Sequence, residues 1–177
     1  LNDARNQQST HQHLRPPRCS NLCTEILEYV ADDEVAVCNL ASVALPMCVH
    51  DGVFDFAVLE KVTRTITVNL NRVIEVSSYP VPEARRSNFR HRPIGIGVQG
   101  IQDVFQILNI PFDCDEARVL NRNIFETIYF ASLSASIELA QEYGTYESYP
   151  GSPLSQGILQ PDMWNEVLTD ERHPWSE

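Results

Sequence analysis

The sequence, 177 residues long, predicts an α/β layer architecture. Three observations carry this: a β-branched run at residues 34–45, two long stretches of helical apolar spacing, and a glycine-interrupted strand between those stretches. Residues 1–19 read as an irregular polar lead-in rich in Gln, Asn and His, where the Arg-Pro-Pro at 15–17 forbids regular structure. "EVAVCNLASVAL" (34–45) reads as a buried strand entering a turn or short helix. Over residues 54–76, apolar side chains at Val58, Leu59, Val62, Ile66, Leu70, Val73 and Ile74 mark an amphipathic helix, which "YPVPEA" then breaks. "PIGIGVQG" (93–100) reads as a short strand, followed by a helix over residues 101–109. The longest element comes next. Asp113 and Glu116 make a capping-box-like start, Ala117, Leu120, Ile124, Ile128, Ala131, Ala135 and Leu139 form the buried stripe, and Gly144 ends the helix. Beyond it the chain becomes loop-like through "YPGSPLSQGILQPDMW".

Composition bounds the function. With 43% hydrophobic and 21% charged residues the chain is neither disordered nor a membrane protein, and it is long enough for one domain with a sizeable core. No apolar run approaches the roughly 20 residues that span a bilayer, and no secretory signal opens the chain. The opening Leu1 and the closing "HPWSE" are what a fragment of a longer protein would show. A net charge of −11 argues against nucleic acid or an anionic membrane as the main partner. Basic residues gather only at "EARRSNFRHRP", where Arg85, Arg86, Arg90 and Arg92 surround His91; this reads as a solvated loop or a contact to the rest of a longer chain. Five cysteines, an odd number outside a secretory context, argue against structural disulfides and leave metal, redox chemistry or burial.

Three arrangements could carry chemistry. Gly95, Gly97 and Gly100 fit the spacing of a dinucleotide fingerprint, but a basic, proline-ended stretch precedes them where a buried strand is required. The alternative is that the glycines let a strand pass close to neighbouring backbone. Cys19 and Cys23, with His11 and His13 upstream, have tolerable spacing for zinc, yet prolines separate the pairs and Cys23 sits in an apolar context. The third is "SNLCTEI". In an extended segment Asn21, Cys23 and Glu25 share one face. An amide that holds hydroxyls, a carboxylate that removes a proton and a sulfur that breaks a bond suit a polyhydroxylated substrate. A neighbouring carboxylate raises a thiol's pKa, which favours a neutral thiol or a sulfur radical over a thiolate.

"SNLCTEI", "EVAVCNLASVAL", "NLNRVIEV", "YPVPEA", "SNFRHRPIGIGVQG", "IFETIY" and "GSPLSQGILQPDMW" occur in the order seen in the catalytic large subunit of class I ribonucleotide reductase, eukaryotic or viral type, which the sequence resembles over residues 20–164. Residues 165–177 form an uncertain tail without a clear match. The resemblance implies part of a ten-stranded α/β barrel, with residues 20–26 in the finger loop and the rest in the second half-barrel. It implies that Cys23 becomes a thiyl radical abstracting the 3′ hydrogen, that Glu25 takes the 3′-hydroxyl proton, and that Ser20 and Asn21 bind substrate. Cys38, which its apolar neighbours alone would place in the core, becomes one half of a redox-active disulfide whose partner lies upstream.

The implied function is thiyl-radical reduction of ribonucleoside diphosphates to deoxyribonucleoside diphosphates for DNA synthesis, in the cytoplasm. No cofactor or metal is implied in this chain. The radical would come from the metal-containing small subunit and the electrons from thioredoxin or glutaredoxin. Nucleoside triphosphate effectors would bind outside the segment. The implied partners are the small subunit, a second large subunit and the substrate, with no nucleic acid and no membrane. The isolated segment is expected to be inactive. The rival expectation is a truncated, non-catalytic descendant serving as a binding or dimerisation piece. Cys19, Cys48 and Cys114 receive no role from the resemblance; Cys48 reads as a small buried hydrophobe and Cys114 as a helix-start residue.

Overall fold

The computed structural model describes residues 8–14, 27–165, 167–168 and 172–173. Its strands are β1 (Leu40–Ala44), β2 (Val49–His50), β3 (Val53–Phe54) and β4 (Gly95–Gln99). Its helices are α1 (Phe56–Val76), α2 (Pro82–His91), α3 (Ile101–Ile107), α4 (Asp115–Tyr143) and α5 (Gln160–Met163). Short 3-10 turns lie at Leu45–Cys48 and Leu154–Gln156. β1 pairs with β4, and β2 pairs with β3. The second pair is an antiparallel hairpin, with Val49 opposite Phe54. Asp51 and Gly52, both at positive φ (51° and 76°), make its two-residue turn, the conformation that an Asp-Gly pair favours between twisted strands.

The chain divides into two compact units. One comprises Leu40–Leu70, Ile96–Glu142 and Thr169–Glu177. Its core is apolar: Val43, Leu45, Cys48, Phe54, Leu59, Val104, Ile124 and Ile128. Cys48 behaves as the small hydrophobe the sequence suggests, and burial pushes its thiol pKa up, with the Asp55 carboxylate adding to the effect.

α1 begins at Asp55, whose Oδ1 accepts the Val58 N–H at 3.0 Å as an N-cap. The helix is where the sequence places it, but its buried stripe is rotated. Thr63 and Thr67 are buried along with Leu59, Leu70 and Ile74, while Val62 and Val73 are exposed. Thr67 is tolerated inside because its hydroxyl donates to the Thr63 carbonyl at 3.0 Å.

α4 buries Ala117, Ile124, Ile128, Ala131 and Ala135 as predicted, and the chain leaves it at Gly144 with φ 85°. Its start differs from the expected Asp113–Glu116 capping box. The helix opens at Asp115, and Cys114 Sγ accepts the Ala117 N–H at 3.4 Å.

Two of the three glycines of "PIGIGVQG" have packing reasons. A Cβ on Gly97 would lie 3.3 Å from Ser42 Oγ, and one on Gly100 would lie 2.7 Å from two ring carbons of Pro46. Gly100 also stands at φ 76°, as the residue that turns β4 into α3.

The other unit comprises Leu1–Asn39, Asn71–Gly95 and Tyr143–Leu168. Two expectations change here. The basic stretch read as a loop is α2, started by Pro82 at its first turn and stopped by Arg92 in the left-handed conformation. Its buried face is Ala84, Ser87, Asn88 and His91, at helical spacing but mostly polar. The strand expected across residues 34–45 is confined to β1; residues 35–39 have no regular structure, and Cys38 is exposed rather than in the core. The reason lies in where the polar groups go. The Glu34 side chain turns inward, the Val35 N–H bonds the Glu83 carbonyl at 3.3 Å, and no ladder forms until Leu40. No helix among the described residues is long and apolar enough to cross a membrane.

Candidate functional site

Ser20, Asn21, Cys23 and Glu25 lie outside the described residues, as does Cys19. Of the expected site, Cys38 is described. It sits between a tight turn, where Ala31 and Glu34 exchange backbone hydrogen bonds, and the start of β1.

A polar cluster of this unit surrounds Glu34, whose side chain is 3% exposed. One carboxylate oxygen accepts from Arg90, and the other accepts from His91 Nε2 at 2.6 Å. A carboxylate only accepts, so Nε2 carries the ring proton. His91 Nδ1 then accepts from the Ser148 hydroxyl at 2.8 Å. Arg90 also pairs with Glu147 at 3.3 Å. Burial holds the His91 pKa below its ordinary value against the pull of Glu34, and the nearby Arg90 charge acts in the same sense as burial.

His11 lies beside this group, its ring centroid 4.9 Å from that of His91, and its Nδ1 accepts the Tyr29 N–H at 3.2 Å. Burial, then the like charges of His91 and His13, lower its pKa to about 4. His13 Nε2 donates to the Ser148 carbonyl at 2.8 Å. The two histidines weighed as zinc ligands therefore each spend a ring nitrogen on backbone.

Glu34, His91 and Ser148 have the connectivity of a hydrolytic triad, but not its accessibility. Ser148 is 4% exposed and the His91 ring is fully buried. A nucleophile must meet a substrate carbonyl beside oxyanion donors. The arrangement is a buried tie between the 31–34 turn, the end of α2 and the segment after α4.

Glu28 is a second buried acid. Its carboxyl oxygens complete no hydrogen bond of good geometry among the described residues. Burial raises its pKa to about 7, and the Val37 backbone offsets this by a smaller amount.

Next to Cys38 in the chain is Asn39, which is buried and donates its side-chain amide N–H to Asn88 Oδ1. None of Glu34, Asn39, Asn88 and His91 was legible as a site from composition. The available signal was the mostly polar helical repeat of Ala84, Ser87, Asn88 and His91, masked by the arginines between them.

Comparison with known proteins supplies the family. The family described as "Ribonucleotide reductase, barrel domain" matches residues 1–177. The chain is 60% identical over 95% of its length to a ribonucleoside-diphosphate reductase large chain of Schizosaccharomyces pombe, of which it covers 21%. It is 58% identical, again over 95% of its length, to the large subunit of Vaccinia virus, covering 22%. With the large subunit of Arabidopsis thaliana the figures are 52%, 98% and 24%. The chain thus spans about a fifth to a quarter of the length of the curated relatives it matches. Its mixed helices and strands are part of an α/β barrel, and the chain belongs to the ribonucleotide reductase barrel-domain family.

Proposed function

We propose that this chain is a segment of a ribonucleoside-diphosphate reductase large subunit, which converts ribonucleoside diphosphates to deoxyribonucleoside diphosphates. The observation that carries the reading is the family match over residues 1–177, joined to 52–60% identity with proteins of that name.

In this reading Cys23 is the sulfur radical that removes the 3′ hydrogen, and Glu25 receives the 3′-hydroxyl proton. Ser20 and Asn21 hold the sugar hydroxyls. As the 2′-hydroxyl leaves as water, Cys38 and an upstream cysteine give up two electrons and two protons and close a disulfide. The exposure of Cys38 supports this role, since a thiol that must meet another segment and then an external reductant has to be reachable. The absence of a positive charge in the "SNLCTEI" stretch supports a thiol or thiyl role for Cys23 over a thiolate one.

The partners of the whole protein would be a radical-generating, metal-containing small subunit, a second large subunit, and thioredoxin or glutaredoxin as reductant. The compartment would be the cytoplasm. The test uses the full-length large subunit with its small subunit. Cys23→Ser is expected to abolish 3′-hydrogen abstraction. Cys38→Ser is expected to permit abstraction and then divert substrate into degradation. Full reductase activity in either variant overturns the reading.

A further inference from the structure

Residues 35–39 lack regular structure, yet the residue after Cys38 is held by a closed amide network. Asn39 Nδ2 donates to Asn88 Oδ1 at 2.6 Å and to the Pro93 carbonyl at 2.8 Å. Asn88 Nδ2 donates back to Asn39 Oδ1 at 3.3 Å and to the Tyr79 hydroxyl. That hydroxyl donates in turn to the Ile74 carbonyl at 2.7 Å. On the backbone, the Asn39 carbonyl accepts the Gly95 N–H at 2.9 Å. All four amide N–H bonds of the two side chains are used, and each amide oxygen accepts from the other residue.

Asn88 is completely buried and Asn39 nearly so. Two apolar side chains of similar size would fill this space without the cost of desolvating two amides. What the amides add is a single arrangement. Each orients the other, so residue 39 cannot rotate without leaving buried donors unpaired. Cys38 is bonded directly to the residue so fixed, and it is itself exposed.

We propose that Asn39 and Asn88 are positioning residues for the redox thiol of Cys38, an inference that rests on the role given to Cys38 above. A disulfide forms only within a narrow range of Cα separation and torsion. A displacement of about 1 Å can cost about a hundredfold in rate. Neither asparagine touches substrate; both act through the placement of one sulfur.

The test uses the full-length large subunit with its small subunit. Asn88→Ala removes the clamp. Asn88→Asp keeps the volume but puts a second oxygen against Asn39 Oδ1. Both variants are expected to lower deoxynucleotide formation by about tenfold or more at unchanged KM. The ratio of product to degraded substrate should fall as it does in Cys38→Ser, with 3′-hydrogen abstraction retained. A general loss of packing would reduce abstraction and reduction together, leaving that ratio constant, and this result overturns the proposal. So does wild-type behaviour. Should both Asn88 variants fail to fold, Tyr79→Phe, which removes only the outermost hydroxyl, is expected to shift the ratio in the same direction by less; an unchanged ratio there overturns it. If Cys38→Ser itself leaves the ratio unaltered, the role of Cys38 fails. If Cys38→Ser alters it and the clamp variants do not, only this inference fails.

Discussion

Replacing Glu28 by Gln is expected to stabilise the protein locally at pH 8 and to leave it unchanged at pH 4.5. Glu28 is 5% exposed, and burial raises its pKa from 4.5 to about 7. A carboxyl whose folded pKa is raised holds its proton longer when folded. Its contribution is therefore fully present below the unfolded value of 4.5 and is lost as pH rises through about 7. A shift of this size corresponds to ~3 kcal/mol, at 1.36 kcal/mol per unit. Gln carries no charge at any pH and resembles the protonated acid in shape. The difference between Glu28→Gln and wild type should thus be near zero at pH 4.5 and grow to ~3 kcal/mol in favour of the variant above pH 7.

His11 supplies the opposing limb. Its pKa is lowered from 6.5 to about 4, so its contribution is present above 6.5 and is lost as pH falls toward 4. Across the window from 4.5 to 6.5 the two residues act in opposite directions, and the lowered His91 adds to the His11 side. Removing Glu28 unmasks the histidines, and the variant's stability should climb with pH more steeply than that of the wild type by up to ~1.4 kcal/mol per unit. The assay is backbone hydrogen exchange at the Tyr29 amide in the full-length protein, corrected for the intrinsic pH dependence of exchange. That amide donates to His11 and lies next to Glu28, so it reports this neighbourhood. A difference profile that is flat between pH 4.5 and 8 refutes the reasoning, because the buried carboxyl could not then be what sets the slope.

Arg90→Met leaves the Glu34 carboxylate buried with one partner fewer and should weaken the tie by about 3 kcal/mol; faster exchange at the Ser148 amide, which bonds the Arg90 carbonyl, would register it. Two glycines separate backbone strain from crowding. Gly144→Ala meets only the left-handed conformation at φ 85°, with open space around it, and should cost about 1 kcal/mol. Gly100→Ala adds a Cβ 2.7 Å from Pro46 to a φ of 76° and should cost about 2–4 kcal/mol; equal melting temperatures for the two variants would contradict this.

The parts of the fold legible in the sequence were those whose burial is apolar. α1 and α4 announce themselves because the side chains they bury are largely Leu, Ile, Val and Ala, so hydrophobic period and buried face nearly coincide. Even there Thr63 and Thr67 escape notice; Thr67, whose hydroxyl bonds back to the Thr63 carbonyl, is as buried as a valine would be. α2 was illegible for the opposite reason. It turns Ser87, Asn88 and His91 inward and its arginines outward, so nothing in its apolar spacing marks a helix. Cys38 misleads in a third way. Its β-branched neighbours mimic a core strand, but their backbone hydrogen bonds leave for other partners. Asn21, Cys23 and Glu25 acquire roles through resemblance, because three common residue types at alternate positions carry little information alone.

The contrast between the two units bears on how a radical enzyme would use its stability. The unit with the apolar core needs only good packing, and many combinations of Leu, Ile and Val would supply it. The unit that holds Cys38 buries Glu34, His91, Asn39 and Asn88 instead, and each is useful only while its partner stays in place. Such a core gains little net stability over an apolar one, and it tolerates substitution poorly because any single loss strands a desolvated group. In return it admits few alternative packings. If Cys38 has the redox role proposed above, its thiol would have to reach one particular sulfur after an unpaired electron had been placed on a sugar, with little time to search for it. On that reading the polar core would sit where placement limits the outcome, and its substitutions should change which product forms as well as how stably the chain folds.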